Sequence, residues 1–301
     1  MRLGRTQCGL KLGPSHAAWV DLSRGWWGGS RRRHRQIDLP VGLLRPSPVE
    51  PNISDPGILE QQLRTLVGAK RKKSMARRTV LVLPDLCVRA TMMTLEAIPS
   101  RAADLEALLR WRLEREAFFP MEGTRLACQV LDSRTVLAVV IREAVLKQYE
   151  AVCEAVGLIP VEVDVASFRL CNLFSNLVPP NDPVAWLTLL DDGFTLIIFQ
   201  AGRPAFVRTK ACLSSNTDGQ FKDLAQSLTL YAEAHSQLVP RRLFLLSEDP
   251  GSGLAERITG SLGLEVIQPG WGDVRFAARS SLGNVHQVGV LTAAAGLIGA
   301  A

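Results

Sequence analysis

The chain has 301 residues, 47% of them hydrophobic and 21% charged, with a net charge of +6. That is the make-up of an ordinary soluble globular protein, long enough for two domains or one large one. No run of eighteen apolar residues is present, so no transmembrane helix is expected. The N-terminus, broken by Arg5, Gln7 and Lys11, does not read as a signal peptide.

The first apolar segments are Thr6–Leu12, His16–Leu22 and Arg32–Leu39, which read as a three-strand meander. Gly13, Pro14 and Ser15 make the first turn. A small-residue turn between strands is how several nucleotide-binding folds cradle phosphate on backbone N–H groups. Such loops usually carry an Asp just before the turn, and here that neighbourhood offers Lys11. The second turn, Ser23–Ser30, holds Trp26 and Trp27 beside glycines.

A connector with Pro40, Pro46, Pro48 and Pro51 follows. A helix is expected next, capped by Ser54 or Asp55, with Pro56 in its first turn and Ile58, Leu59, Leu63, Leu66 and Val67 on one side. A buried strand, "TVLVLP", leads into a segment over about 86–141. It reads as a strand ("LCVRATMMTLE"), a helix ("RAADLEALLRWRLEREAFFP") and two strands ("RLACQVL", "TVLAVVI"). That is enough for a small α+β subdomain. In its helix Leu105, Leu108, Leu109 and Leu113 keep the 3.6-residue period, Ser100 stands at the cap position, and Trp111 falls off the stripe. Helix then strand follows in "EAVLKQYEAVCEAVGLIPVEVDV", with Gly157 as the helix stop.

The second half repeats this order of elements. "VAWLTLL", "FTLIIFQ" and "PAFVRTK" form a second meander, with "AGRP" as a turn. "DLAQSLTLYAEAHSQL" is helical, "RRLFLLS" is a buried strand, and "GLAERITGSLGLEVIQ" is helix then strand. The apolar tail "VGVLTAAAGLIGAA" reads as a buried terminal helix. The division expected is a first lobe over 1–178, interrupted at about 86–141, and a second lobe over 179–301.

None of the six cysteines forms a C-x-x-C pair, and they sit in apolar runs, as small hydrophobes of a reducing compartment do. The four histidines show no ligand spacing, so no metal centre is expected. Charge is uneven: residues 1–78 hold sixteen Lys and Arg against five Asp and Glu, and the rest hold nineteen against twenty-four. Arg31, Arg32, Arg33, Lys70, Arg71, Lys72 and Lys73 carry the excess. They are either solvated loops or a face toward anionic lipid. Nothing resembles a nucleic-acid recognition motif.

Two α/β lobes, each a meander followed by α/β units, with a small subdomain in the first, resemble the actin-like ATPase superfamily in its FtsA-type layout. That resemblance implies a duplicated unit of ribonuclease H-like fold. The run from "VLVLPDLCVRATMMTLEAIPS" through "LEREAFFP", "ACQVLDSRTVLAVVIREAVLKQYEAVCEAVGLIPVEVDVASFRLCNLF" and "FTLIIFQAGRPAFVRT" is similar to the PilM family of type IV pilus assembly proteins. The likeness is strongest over Thr79–Arg208.

Against that family's phosphate loops the chain departs at several points. Lys11 stands in the place of an Asp before Gly13 and Ser15. Thr188 and Leu190 stand where the second loop has Asp and Gly. Ser247 and Glu248 stand where a Gly pair meets adenosine, with Gly251 and Gly253 displaced. Lost carboxylates remove a magnesium ion's anchors, and a Leu in a glycine position keeps backbone from phosphate. The resemblance with these changes implies a pseudo-ATPase with no ATP or Mg cofactor and no metal. Lys11 pairing with phosphate, or Asp191 or Asp192 replacing the lost Asp in a slipped register, are the alternatives.

The resemblance further implies a cytoplasmic scaffold, peripheral to the inner membrane. It would hold the cytoplasmic tail of a PilN-type membrane partner in a groove between the first lobe and its subdomain. Val88, Leu95, Leu109, Trp111, Arg112 and Leu113 are the groove residues expected, with Trp111 as the aromatic anchor. An ATP-binding switch of the same fold and a GspL-like type II secretion component are the competing readings.

Overall fold

The computed structural model describes residues 8–21, 33–68, 77–116, 121–191, 193–213, 215–235, 239–274, 288–295 and 297. Trp26, Trp27, Arg31, Arg32, Lys70, Arg71, Lys72 and Lys73 lie outside them. Arg33 is an exposed residue of an edge strand.

The first sheet has the order β3-β2-β1-β4-β8, built from β1 (Cys8–Leu12), β2 (His16–Asp21), β3 (Arg33–Asp38), β4 (Arg77–Leu83) and β8 (Leu158–Val165). β1 to β3 are antiparallel, while β4 and β8 join in parallel. Parallel joins need crossovers, supplied by α1 (Pro56–Val67) and α3 (Glu143–Ala155). The start of α1 follows from its sequence. Asp55 Oδ1 accepts from Ile58 N at 3.0 Å, Pro56 opens the first turn, and Gly68 closes the helix at φ 62°. Such a cap stabilises by about 1 kcal/mol. Leu59, Leu63, Leu66 and Val67 are buried, whereas Ile58 faces solvent.

The second sheet repeats the plan in the order β11-β10-β9-β12-β13, from β9 (Val184–Leu190), β10 (Gly193–Gln200), β11 (Arg203–Ala211), β12 (Arg242–Ser247) and β13 (Glu265–Ile267). Its helices are α5 (Thr217–Ala234) and α6 (Leu254–Leu262). β9 is buried along its whole length and β10 nearly so, because both faces of this sheet are covered. The outer face packs on α5 and α6 through Leu187, Leu196, Leu224 and Ile258.

The inner faces of the two sheets share one apolar cluster. It takes Ala18, Val20, Val80 and Val82 from the first lobe and Trp186, Ile197, Phe244 and Leu246 from the second. Two helices complete it, α4 (Ala166–Leu173) and the terminal α7 (Val288–Ala295). Although α7 follows the second lobe in sequence, it lies on the first sheet. A Cβ at Gly9 would fall 2.0 Å from the Ala293 carbonyl oxygen, so only glycine admits so close a helix.

The small subdomain is an antiparallel sheet in the order β5-β7-β6, made of β5 (Arg89–Thr94), β7 (Thr135–Arg142) and β6 (Thr124–Val130). α2 (Ala102–Glu116) covers one face. Leu105, Leu109 and Leu113 pack there on Met93, Val136, Ala138 and Val140. No helix among the described residues is long and apolar enough to cross a membrane.

Candidate functional site

Alternation along β1 places Leu10 and Leu12 in the outer core and turns Lys11 toward the lobe junction. The same alternation on β2 turns His16 inward with Ala18 and Val20. From the second lobe, Asp191 arrives at the end of β9 and Glu248 at the end of β12. These four side chains meet. Lys11 Nζ, fully buried, donates to Asp191 Oδ1 at 2.6 Å and to His16 Nε2 at 2.9 Å, and lies 3.6 Å from Glu248 Oε1. With Nε2 accepting from the Lys11 ammonium, the neutral ring carries its hydrogen on Nδ1, which lies 2.9 Å from Ser15 Oγ. The Asp191 N–H donates to Glu248 Oε2 at 3.3 Å, and the Glu248 N–H donates to the Leu189 carbonyl at 3.2 Å.

Burial sets the electrostatics. It pushes the Asp191 carboxyl up to about 7, with Lys11 pulling the other way and the Glu248 charge adding to the rise. Burial, seconded by the Lys11 ammonium, holds the His16 imidazole down at about 3, so His16 is neutral. Close by, Asp85 is buried and accepts from the Ser167 N–H at 3.0 Å, the Ser167 hydroxyl and the Thr195 hydroxyl at 2.7 Å. Its carboxyl is nevertheless raised, because desolvation outweighs those donors.

The turn Gly13–Ser15 is in contact with this cluster. A Cβ at Gly13 would stand 1.9 Å from Asp191 Oδ1 and 2.5 Å from Lys11 Nζ. The turn thus lies against the protein's own carboxylate, and the Gly13 N–H is already given to the His16 carbonyl at 3.0 Å. Asp191 itself sits at φ 56°, a conformation that Asp tolerates better than most side chains. Thr188 is wholly buried with its hydroxyl lacking a hydrogen-bond partner among the described residues, and Leu190 packs in the interlobe cluster. Ser247 Oγ is engaged in its own turn with Asp249. His16, Asp191 and Glu248 form a metal-ligand-like group, their ligand atoms within 4.8 Å of one another. Sequence spacing could not reveal it, because 175 or more positions separate His16 from the two carboxylates.

A second feature is a cleft of about 400 Å³ where the subdomain, the first lobe and the β10–β11 hairpin meet. Its walls include Ala127, Gln129, Leu137 and Val139 from the subdomain, Phe168 from α4 and Phe199 from β10. Ala127 pairs with Val139 and Gln129 with Leu137, so these four share the face opposite α2. β6 is an edge strand of its sheet, and β8, which brings Asp164 to the cleft, is an edge strand of the first sheet. Burial raises the Asp164 carboxyl.

The groove residues expected from the sequence fall elsewhere. Leu95, Leu109 and Leu113 are buried in the subdomain core and present no surface to a partner, which corrects that expectation. The leucine stripe of α2 exists to cover its own sheet. Val88 is partly buried against the first-lobe core. Arg112 donates to the Thr94 carbonyl at 2.6 Å. Trp111 is 53% exposed beneath the Arg115 guanidinium, on the side of the subdomain away from the cleft. Cys128, read as one of the apolar-run thiols, is exposed on β6.

No protein-family model matches the sequence, and no curated protein matches it. Solved structures do match. The duplicated sheets with an inserted subdomain are the actin-like ATPase fold. A Bacteroides thetaiotaomicron protein of that fold aligns with a TM-score of 0.56 at 12% identity, over 87% of this chain and 91% of that one. Within the class the arrangement is similar to that of PilM. A chain of a PilM–PilN type IV pilus biogenesis complex aligns over 98% of this chain and 99% of its own, with a TM-score of 0.77 at 20% identity. The cytoplasmic domain of EpsL, an inner-membrane component of the Vibrio cholerae type II secretion system, aligns with a TM-score of 0.54 at 12% identity, over 98% and 95%.

Proposed function

We propose that this chain is a cytoplasmic scaffold of a type IV pilus assembly platform. It holds the extended cytoplasmic tail of a PilN-type inner-membrane protein and works without nucleotide hydrolysis. The observation that carries the reading is the cleft between subdomain and lobes, where two strands that are edges among the described residues, β6 and β8, meet an apolar floor. An extended peptide binds such a place by strand addition, with side chains in the floor giving selectivity. The whole-length likeness to the PilM chain of a PilM–PilN complex supports the choice of partner.

Magnesium and ATP, which the fold class implies, do not fit the residues present. The Gly13 turn is in contact with Asp191, and Lys11 is committed to Asp191, His16 and Glu248. Leu190 occupies a place that needs glycine in a phosphate-binding turn. The basic runs over 30–35 and 69–78 supply attraction to an anionic membrane surface, where the partner's tail emerges.

The test is titration of a synthetic PilN-type tail peptide into the purified chain, beside Mg-ATP. Saturable peptide binding with no nucleotide binding is expected. Micromolar Mg-ATP binding would favour the switch reading instead. The likeness to EpsL favours a second assignment, a type II secretion platform, and the same titration with a tail from that system separates the two.

A further inference from the structure

We infer that the lobe junction contains a divalent-cation site made of His16 Nε2, Asp191 and Glu248, in which the ammonium of Lys11 is the resident cation. Removing that ammonium opens the site to a borderline metal ion such as Zn²⁺ or Co²⁺. This goes beyond the scaffold reading and stands or falls separately from tail binding.

Three observations meet here. The first is the donor set. One imidazole nitrogen and two carboxylates lie within 4.8 Å of one another. That mixture suits zinc and cobalt, which take three protein ligands and leave a fourth position for water. The second is the place of Nζ. It lies 2.6 Å from Asp191 Oδ1, 2.9 Å from His16 Nε2 and 3.6 Å from Glu248 Oε1, so it stands among all three ligands. His16 offers it a lone pair, as it would offer one to a metal. The third is an excess of acceptors. Asp191 Oδ2 and Glu248 Oε1 are buried without a hydrogen-bond partner among the described residues, although Asp191 is 98% buried. Two carboxyl groups face one ammonium, so acceptor oxygens are left over.

The ligands come from both lobes, His16 from the first and Asp191 and Glu248 from the second. A cation between them ties the lobes together. Supplying it from β1 makes the tie part of the polypeptide, with no dependence on an external ion. A lysine also keeps metals out, since a divalent ion would share the site with a fixed positive charge.

The experiment titrates Co²⁺, read by its visible d–d absorption, into tag-free wild type, Lys11→Ala and Lys11→Ala/Asp191→Asn. Wild type should show no saturable signal. Lys11→Ala should bind one Co²⁺ per chain with the intense bands of a four-coordinate site, at least tenfold more tightly than the double variant. Zn²⁺ should restore part of the melting temperature that Lys11→Ala loses. Should Lys11→Ala fold only when Co²⁺ or Zn²⁺ is present, that dependence supports the site. A folded Lys11→Ala that binds no Co²⁺, or a wild type that binds it equally well, overturns the inference. Should the variant fold under neither condition, the ¹⁵N spectrum of wild-type His16 decides. A hydrogen-free Nε2 beside the Lys11 ammonium supports the site, and an Nε2–H tautomer refutes it.

Discussion

Lys11 Nζ and Asp191 Oδ1 lie 2.6 Å apart although 180 residues separate them, and both side chains are buried. One comes from the first strand of the first lobe, the other from the first hairpin turn of the second. The duplicated topology brings them together, because β1 and β9 hold equivalent places in sheets whose inner faces meet. Removing one partner of such a pair leaves the other charge buried and unpaired. Lys11→Met should therefore lower unfolding free energy by about 3–5 kcal/mol. Lys11→Met/Asp191→Asn should recover part of that loss. Denaturant melts of the four proteins in the cycle measure it, and strict additivity would show that the two groups do not interact.

The pair His16 and Asp191 makes a second prediction. The His16 pKa falls from 6.5 to about 3 on folding, so the unfolded chain binds the extra proton between those values. Its contribution to stability is present above pH 6.5 and is lost as pH falls toward 3. Asp191 rises from 3.8 to about 7, so the folded chain holds the extra proton, and this contribution is lost as pH rises from 3.8 to 7. The two oppose each other across the overlap and nearly cancel. Asp191→Asn should unmask the histidine, giving stability that falls toward acid by up to about 1.4 kcal/mol per pH unit between pH 6 and 4. His16→Gln should give the opposite slope relative to wild type. Asp164, raised by burial, drops out of the differences, whereas Asp85, whose charge acts on Asp191, contributes differently once Asp191 is replaced. Parallel curves for the three proteins would refute the assignment.

The sequence carried the fold well and the site poorly. Strand and helix periods, the Asp55–Pro56 start and the repeated order of elements are local signals, and most of the described elements follow them; α4 was not expected, and the strand read from Leu86 starts only at Arg89. Lys11 was legible as a departure at a phosphate-loop position. What it does instead was not, since its partners are set by the meeting of two sheets. The leucine stripe of α2 misled for a physical reason. An amphipathic stripe marks the face that a helix must bury, and its own three-stranded sheet already covers it. The cleft is made by the other face of that sheet. There Ala127, Gln129, Leu137 and Val139 alternate with the core residues and leave no distinctive pattern.

Nucleotide binding offers a third test. Isothermal titration with Mg-ATP should give no saturable heat in the micromolar range, and Mg-ATP should leave the melting temperature unchanged. A ligand at a hundred times its Kd would stabilise the chain by about 2.7 kcal/mol, so a thermal scan detects even modest affinity.

The basic N-terminal quarter gives a fourth. Sedimentation with anionic vesicles should fall as salt rises, because the Debye length is about 30 Å at 0.01 M and about 8 Å at 0.15 M. Replacing Arg71, Lys72 and Lys73 with Gln should weaken it, by about 1 kcal/mol for each charge near the surface. A wild type that ignores such vesicles at low salt would leave these runs as solvated loops.

The partner cleft is tested by two substitutions on opposite faces of one small sheet. Gln129 is exposed on β6 and lines the cleft; Trp111 is exposed on α2, beyond the sheet and beneath Arg115. Neither supports a core, so both variants should keep the wild-type circular dichroism spectrum and melt close to it. Gln129→Arg puts a long charged side chain into the space a peptide would fill beside the β6 edge. It should weaken binding of the PilN-type tail at least tenfold, on the scale of losing one interface anchor at about 2 kcal/mol. Trp111→Ala should bind the tail like wild type if the cleft is the site. The reverse outcome, with Trp111→Ala weak and Gln129→Arg normal, would move the partner to the outer face of α2. Strand addition also predicts slower amide hydrogen exchange along β6 or β8 when the tail is bound, since the unpaired N–H groups of an edge gain partners. Unchanged exchange in both strands, with tight binding, would leave side-chain insertion into the cleft floor as the mode.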